Sequence, residues 1–145
     1  SLAISNFLPV PKSDGTNTIY QGDLNKLIFA NSIIYGNNPV EIELGNNHKN
    51  LFNYYFDNCI IQMPDTFNTT DKNRFNNIWK GAKYDPKFID VSKKLIFELD
   101  TLSPAKDIGN ITYSKLFPFD MKGKDRNADK APDLGAYERI EKKPK

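Results

Sequence analysis

Hydrophobic and polar positions along this chain alternate in short bursts, separated by breaks rich in asparagine and glycine. Val40-Glu41-Ile42-Glu43-Leu44 alternates strictly, which predicts a strand with Val40, Ile42 and Leu44 on one face and both glutamates on the other. Leu95-Ile96-Phe97-Glu98-Leu99 predicts another, facing inward through Leu95, Phe97 and Leu99. Residues 52–62 form a β-branched and aromatic run between Asn-rich turns, the mark of a third strand. Gly36-Asn37-Asn38-Pro39 and Gly45-Asn46-Asn47 are strong breaks. Residues 63–74, with Pro64, Asp65 and Thr69-Thr70-Asp71, read as a polar excursion. A short helix over residues 71–79 is an option, although Asn73, Asn76 and Asn77 are poor helix formers. No heptads, Gly/Ser linker or low-complexity tract divides the chain, so one domain is expected.

One burst recurs. Phe29-Ala30-Asn31-Ser32-Ile33-Ile34 matches Phe56-Asp57-Asn58-Cys59-Ile60-Ile61 at four of six positions, 27 residues apart. Phe75-Asn76-Asn77-Ile78 echoes it a further 19 residues on. Self-similarity at roughly 20–30 residues is the sequence mark of a solenoid turn. Chance likeness between two strands of an antiparallel sandwich is the competing explanation. An Asn at the same corner of successive turns can pass amide hydrogen bonds along a ladder, and it tolerates the left-handed conformation of a sharp corner. Asn31, Asn58 and Asn77 are the ladder candidates; codon bias alone accounts for Asn46, Asn47, Asn50, Asn68 and Asn73.

The last third carries an ordered set of short patterns. Asp85-Pro86-Lys87-Phe88-Ile89-Asp90 is followed by Ser103-Pro104-Ala105-Lys106-Asp107-Ile108-Gly109. Asp120-x-x-Gly123-x-x-Arg126 and Pro132-Asp133-Leu134-Gly135-Ala136-Tyr137-Glu138 complete the set. In this order and spacing they resemble the C-terminal part of secreted bacterial (Bacteroidetes-type) right-handed parallel β-helix repeat proteins of the pectate-lyase-like superfamily. With the recurring bursts, the resemblance covers residues 24–139. It implies an all-β, right-handed parallel β-helix of about four to five rungs. Residues 1–103 would be rungs truncated on the N-terminal side, and residues 104–145 a closing cap and basic tail, all in one structural domain. A solenoid end needs cover, because it exposes apolar interior and an unpaired strand edge. Leu116, Phe117, Pro118, Phe119 and Met121 are the expected cover, and residues 134–140 a short closing strand. Asp107, Gly109, Asp120, Gly123, Arg126, Asp133 and Gly135 are the expected cap residues, the glycines for turns and the charged groups for carboxylate–guanidinium and carboxylate–backbone bonds.

Charge narrows the partners. Twenty basic and eighteen acidic residues leave a formal net charge of +2, so no strong field draws in nucleic acid. Basic residues thicken only near the end (Lys122, Lys124, Arg126, Lys130, Lys142, Lys143, Lys145), as a solvated tail would. A single cysteine, Cys59, excludes an internal disulfide and a thiolate zinc cluster. No apolar run approaches the roughly 18 residues of a membrane span. The start, Ser1-Leu2-Ala3-Ile4-Ser5-Asn6, has no initiator Met and no signal-peptide features, and reads as a cut within a longer exported protein. An extracellular or bacterial cell-surface location is therefore expected, with any targeting signal upstream. Apolar residues near that start (Leu2, Ile4, Phe7, Leu8, Val10) are expected to fold back or to support weak self-association through the N-terminal end.

The sequence offers little chemistry. His48 lies in a polar turn, and no nucleophile elbow, phosphate loop or dinucleotide fingerprint is present. Cys59 occupies the slot of Ser32, which suits packing better than a reactive thiol. Asp120, Asp125, Asp129 and Asp133 match no calcium loop, and lysines interleave them. No metal or cofactor is expected. Glu41 and Glu43, roughly 7 Å apart on one strand face, form the one carboxylate pair with a binding claim; catalysis, sugar or cation contact and plain solvation all remain open for it. Two functional classes follow. The first is a non-catalytic fragment of a secreted or cell-surface β-helix protein that binds polysaccharide, cell-surface glycan or other surface molecules. The alternative is the C-terminal part of a pectate-lyase-like polysaccharide lyase or glycoside hydrolase with its active site upstream.

Overall fold

A computed structural model describes residues 1–139 of the chain. Its strands are β1 Leu2–Ser5, β2 Phe7–Pro11, β3 Asn17–Gln21, β4 Leu24–Ile34, β5 Ile42–Gly45, β6 Phe52–Ile61, β7 Phe75–Lys80, β8 Phe88–Asp90 and β9 Ile96–Leu99. A 3-10 turn, Ala82–Tyr84, and one short helix, α1 Ile111–Leu116, complete it. The chain is all-β, but the expected right-handed parallel β-helix is overturned. The strands form several small separate sheets: β1–β5 and β4–β6–β7 are parallel, β2–β3 and β8–β9 antiparallel. Separate sheets of two or three strands, some parallel and some antiparallel, make neither a solenoid nor a repeat architecture. Local turn chemistry is the reason for the antiparallel pairs. Asp14 Oδ1 accepts from Thr16 N at 2.9 Å and closes β2 onto β3. Asp90 Oδ1 accepts from Lys93 N at 3.0 Å and closes β8 onto β9. Such side-chain turns commit neighbouring strands to each other before distant ones can compete.

The recurring bursts lie side by side in the three-stranded sheet. Phe29 pairs with Phe56 and Phe56 with Phe75, and their rings stack at 5.1 and 5.9 Å. Asn31, Asn58 and Asn77 all take left-handed backbone, at φ 48°, 50° and 48°. Asn77 Nδ2 donates to Asn58 Oδ1 at 3.1 Å, and Asn58 Nδ2 donates to Ile108 O at 2.5 Å. Asn31 binds the same C-terminal segment: it accepts from Asn110 N at 2.6 Å and donates to Asn110 O at 3.0 Å. The left-handed residue also bends each strand, so β6 feeds two apolar clusters. Phe56, Cys59 and Ile61 join Ile4, Ile42, Tyr54 and Phe75, whereas Ile60 packs with Leu99, Ala105 and Leu134.

Several local expectations are corrected. The possible helix over residues 71–79 is strand from Phe75 onward, because pairing with β6 outweighs a weak helical preference. Leu95 takes left-handed backbone at φ 53° and is exposed, so β9 starts at Ile96 and Phe97 stands half-exposed. No strand covers residues 134–139, and Ile140 lies outside the described residues, as do Lys142, Lys143 and Lys145. The expected apolar cover is instead solvent-facing: Leu116, Phe117, Phe119 and Met121 are 64–76% exposed. Near the start, Ile4 is buried, while Leu8 and Val10 stand exposed on the β2–β3 hairpin.

Candidate binding site

Glu41 and Glu43 do not present a paired face. Glu41 precedes β5 and is buried, while Glu43 within β5 is exposed. The Glu41 carboxylate accepts from Asn38 N at 2.8 Å and lies 3.0 Å from the Ser1 amino group. The Asn38 N–H, joined by the Ser1 amino group, holds it down to about 2, so it stays ionised. A Cβ on Gly36 would run into this carboxylate, which ties Glu41 to the Gly36-Asn37-Asn38 turn from the inside. Glu41 is therefore a positioning residue for that turn.

The C-terminal residues singled out by sequence come together as one network. Asp107 N donates to Asp133 Oδ1 at 2.9 Å, and Arg139 N to Asp133 Oδ2 at 2.8 Å. Asp120 takes Lys122 N and Lys124 N on one oxygen, at 2.7 and 2.8 Å, and Glu138 N on the other at 2.8 Å. Burial works to raise the Asp120 pKa, but the N–H groups of Glu138, Lys124 and Lys122 outweigh it and hold it below the usual range. Arg126 Nη2 donates to Gly135 O at 2.9 Å, and Nη1 lies 3.6 Å from Glu138. Gly109 packs so tightly that a Cβ would sit 2.6 Å from Pro132 O. Gly123 and Gly135 take φ 77° and 92°, where glycine alone is unstrained.

A different place has room for a ligand. A cavity of about 430 Å³ opens between the end of β4 and the β8–β9 hairpin, lined by Tyr35, Asn37, Asp85, Lys87, Phe88 and Phe97 among others. Asp85 caps the 3-10 turn, and its Oδ1 accepts from Lys87 N at 2.9 Å. That bond sets Lys87 at φ 49° and delivers Phe88 into β8. Asp100 N donates to Lys87 O at 2.8 Å and fixes the far end of the hairpin. Phe88 and Phe97 then meet edge to face at 5.6 Å, with Phe97 47% exposed at the rim. Burial first, and the Asp85 charge second, raise the Tyr35 pKa, so its hydroxyl remains a donor. The Glu41-held turn supplies Gly36 and Asn37 to the opposite wall.

The cavity thus sets aromatic surface beside a phenol, an amide, an ammonium and one carboxylate. That combination can pack against an apolar ring face and both donate and accept hydrogen bonds. Sequence reasoning passed over it for a physical reason. Asp85 to Asp90 was visible as a pattern, but Tyr35 and Phe97 lie 62 positions apart and meet only through the hairpin. The left-handed Leu95, which turns Phe97 outward, carries no glycine signature. Among the described residues, no group of three or more His, Cys, Asp or Glu could hold a metal ion. Comparison of the chain with protein-family models, with curated proteins and with solved structures finds no match in any of the three.

Proposed function

We propose that this chain is a non-catalytic binding module for polysaccharide or cell-surface glycan, acting outside the cell, with the Tyr35–Phe97 cavity as its sugar site. The observation that carries the reading is the half-exposed Phe97 ring beside Asp85, Asn37 and Lys87 around one cavity. A sugar ring placed there lays its C–H face on an aromatic ring and finds both acceptors and donors for its hydroxyls. Glycoside hydrolysis uses two carboxyl groups across the scissile bond. The cavity lining contains one, Asp85, while Glu41 is committed to Asn38.

Binding is tested by titrating isotope-labelled protein with a panel of neutral and acidic oligosaccharides and following the amides of residues 35–37, 85–88 and 97. Saturable shifts there are expected for at least one sugar. Phe97→Ala should weaken that binding by about ten- to a hundredfold, the loss of one buried apolar ring contact. Absence of shifts with every sugar, or unchanged affinity in the Phe97→Ala protein, would defeat the proposal.

A further inference from the structure

We infer a second, separate ligand site on the β4–β6 face that takes a sulfate or phosphate ester. A groove of about 470 Å³ there is lined by Lys26, Tyr54, Tyr55, Asp71, Asn73 and Arg74, among others. Its origin is a bulge. Leu24 pairs with Phe52 and Leu27 with Tyr54, so β4 spends three residues against two of β6. Bulges of this kind re-aim side chains, and Lys26, an exposed member of the extra step, lines the groove. It has no ion pair among the described residues.

Arg74 is built in from the other side. Its guanidinium lies over the Tyr54 ring at 5.0 Å, Nη1 donates to the Tyr54 hydroxyl at 3.2 Å, and Nε lies 3.5 Å from Asp71. Two cations therefore flank one groove that holds a single carboxylate, and one of the cations is held before any ligand arrives. Nη1 donates to Tyr54 and Nε faces Asp71, which leaves the two Nη2 N–H groups for a ligand. Lys26 adds a point charge from a different strand. A tetrahedral ester carries three terminal oxygens, one more than a carboxylate, and so can meet Arg74 and Lys26 together while keeping an oxygen for Tyr55 or water. Tyr55, partly exposed in the same groove, supplies apolar surface for the ring that bears the ester.

The experiment is an NMR titration of the whole chain with galactose 6-sulfate, galactose 6-phosphate, galacturonate and galactose. One or both esters should shift the signals of Tyr55 and the Arg74 guanidinium, and bind about tenfold or more tighter than galacturonate or galactose. Binding of the sulfate alone assigns the source to sulfated glycans, and binding of the phosphate alone to phosphorylated ones. Lys26→Gln, an exposed change that spares the core, should weaken ester binding severalfold, and added salt should do the same. Phe97→Ala should leave it unchanged, which separates this groove from the cavity and lets either reading fail alone. Equal binding of galacturonate, no effect of Lys26→Gln, or no shift at the groove would each overturn the inference.

Discussion

Asn58 adopts φ 50°, donates to Ile108 O and accepts from Asn77 Nδ2, so one side chain answers both a conformational and a hydrogen-bonding demand. The two can be separated. Asn58→Gly keeps the left-handed backbone and loses the bonds, whereas Asn58→Ala loses the bonds and adds about 1–2 kcal/mol of strain. Chemical denaturation should therefore show Ala as the more damaging change, with a total cost of about 2–4 kcal/mol. Equal effects would mean the backbone relaxes out of the left-handed region. Glu138 makes a second residue-scale prediction. It is 2% exposed, and burial pushes it up to about 8 despite Arg126 nearby. A folded-state pKa above the ordinary 4.5 contributes stability that is complete below 4.5 and is lost as pH rises through about 8. Asp133, also raised by burial, acts in the same direction. Melting temperatures from pH 5 to 8 should fall more steeply for the native chain than for Glu138→Gln. The asparagines were legible in the sequence because they recur in register. The burial of Glu138 was not, since its partners Arg126 and Asp120 lie 12 and 18 positions away.

At the scale of elements, β6 was readable end to end because its apolar run is long and bounded by turns. Within β5 the expected faces hold, with Ile42 and Leu44 inward and Glu43 outward, but the alternation was carried past the start of both β5 and β9. Strict alternation assigns faces only if the strand begins where the pattern begins. Val40 and Glu41 lie before β5, and Leu95 before β9. The C-terminal segment is closed on itself and held to the sheet by close backbone approach. Gly109 N donates to Pro132 O at 2.7 Å, and Gly135 N to Asn31 O at 2.8 Å. Gly109→Ala should thus displace backbone and not merely a flexible side chain, at a cost of about 1–3 kcal/mol. Hydrogen exchange should show the loss first at residues 105–110 and 132–135. A uniform loss across β6 would instead mean that this segment does not open separately.

For the molecule as a whole, the all-β class was legible and the sheet arrangement was not. Recurrence of Phe-x-Asn-x-Ile-Ile places β4 beside β6, but says nothing about segments that pair with their own neighbours through turns. The two antiparallel hairpins arise that way. The C-terminal segment also changes meaning at this scale. Residues 104–121 cross the sheet with backbone groups facing Asn31 and Asn58 and the Asn110 side chain on Asp57, and with Phe117, Phe119 and Met121 turned to solvent. Deleting residues 104–145 would strip partners from all three of those buried or partly buried polar groups. The shortened chain should show no cooperative thermal transition by circular dichroism; a sharp, reversible melt would show that the sheets stand without it.

Cys59 gives the molecule a clock. The chain has one thiol, it is fully buried in the middle strand, and burial pushes its pKa up to about 12. A thiol reagent therefore meets neither access nor thiolate while β4, β6 and β7 remain together. Its reaction rate counts openings of that sheet. Where reclosing outpaces modification, the rate divided by that of a free thiol gives the open fraction directly. Ligands of either candidate site that bind only the closed sheet should slow the clock by a factor of one plus the free ligand concentration divided by Kd.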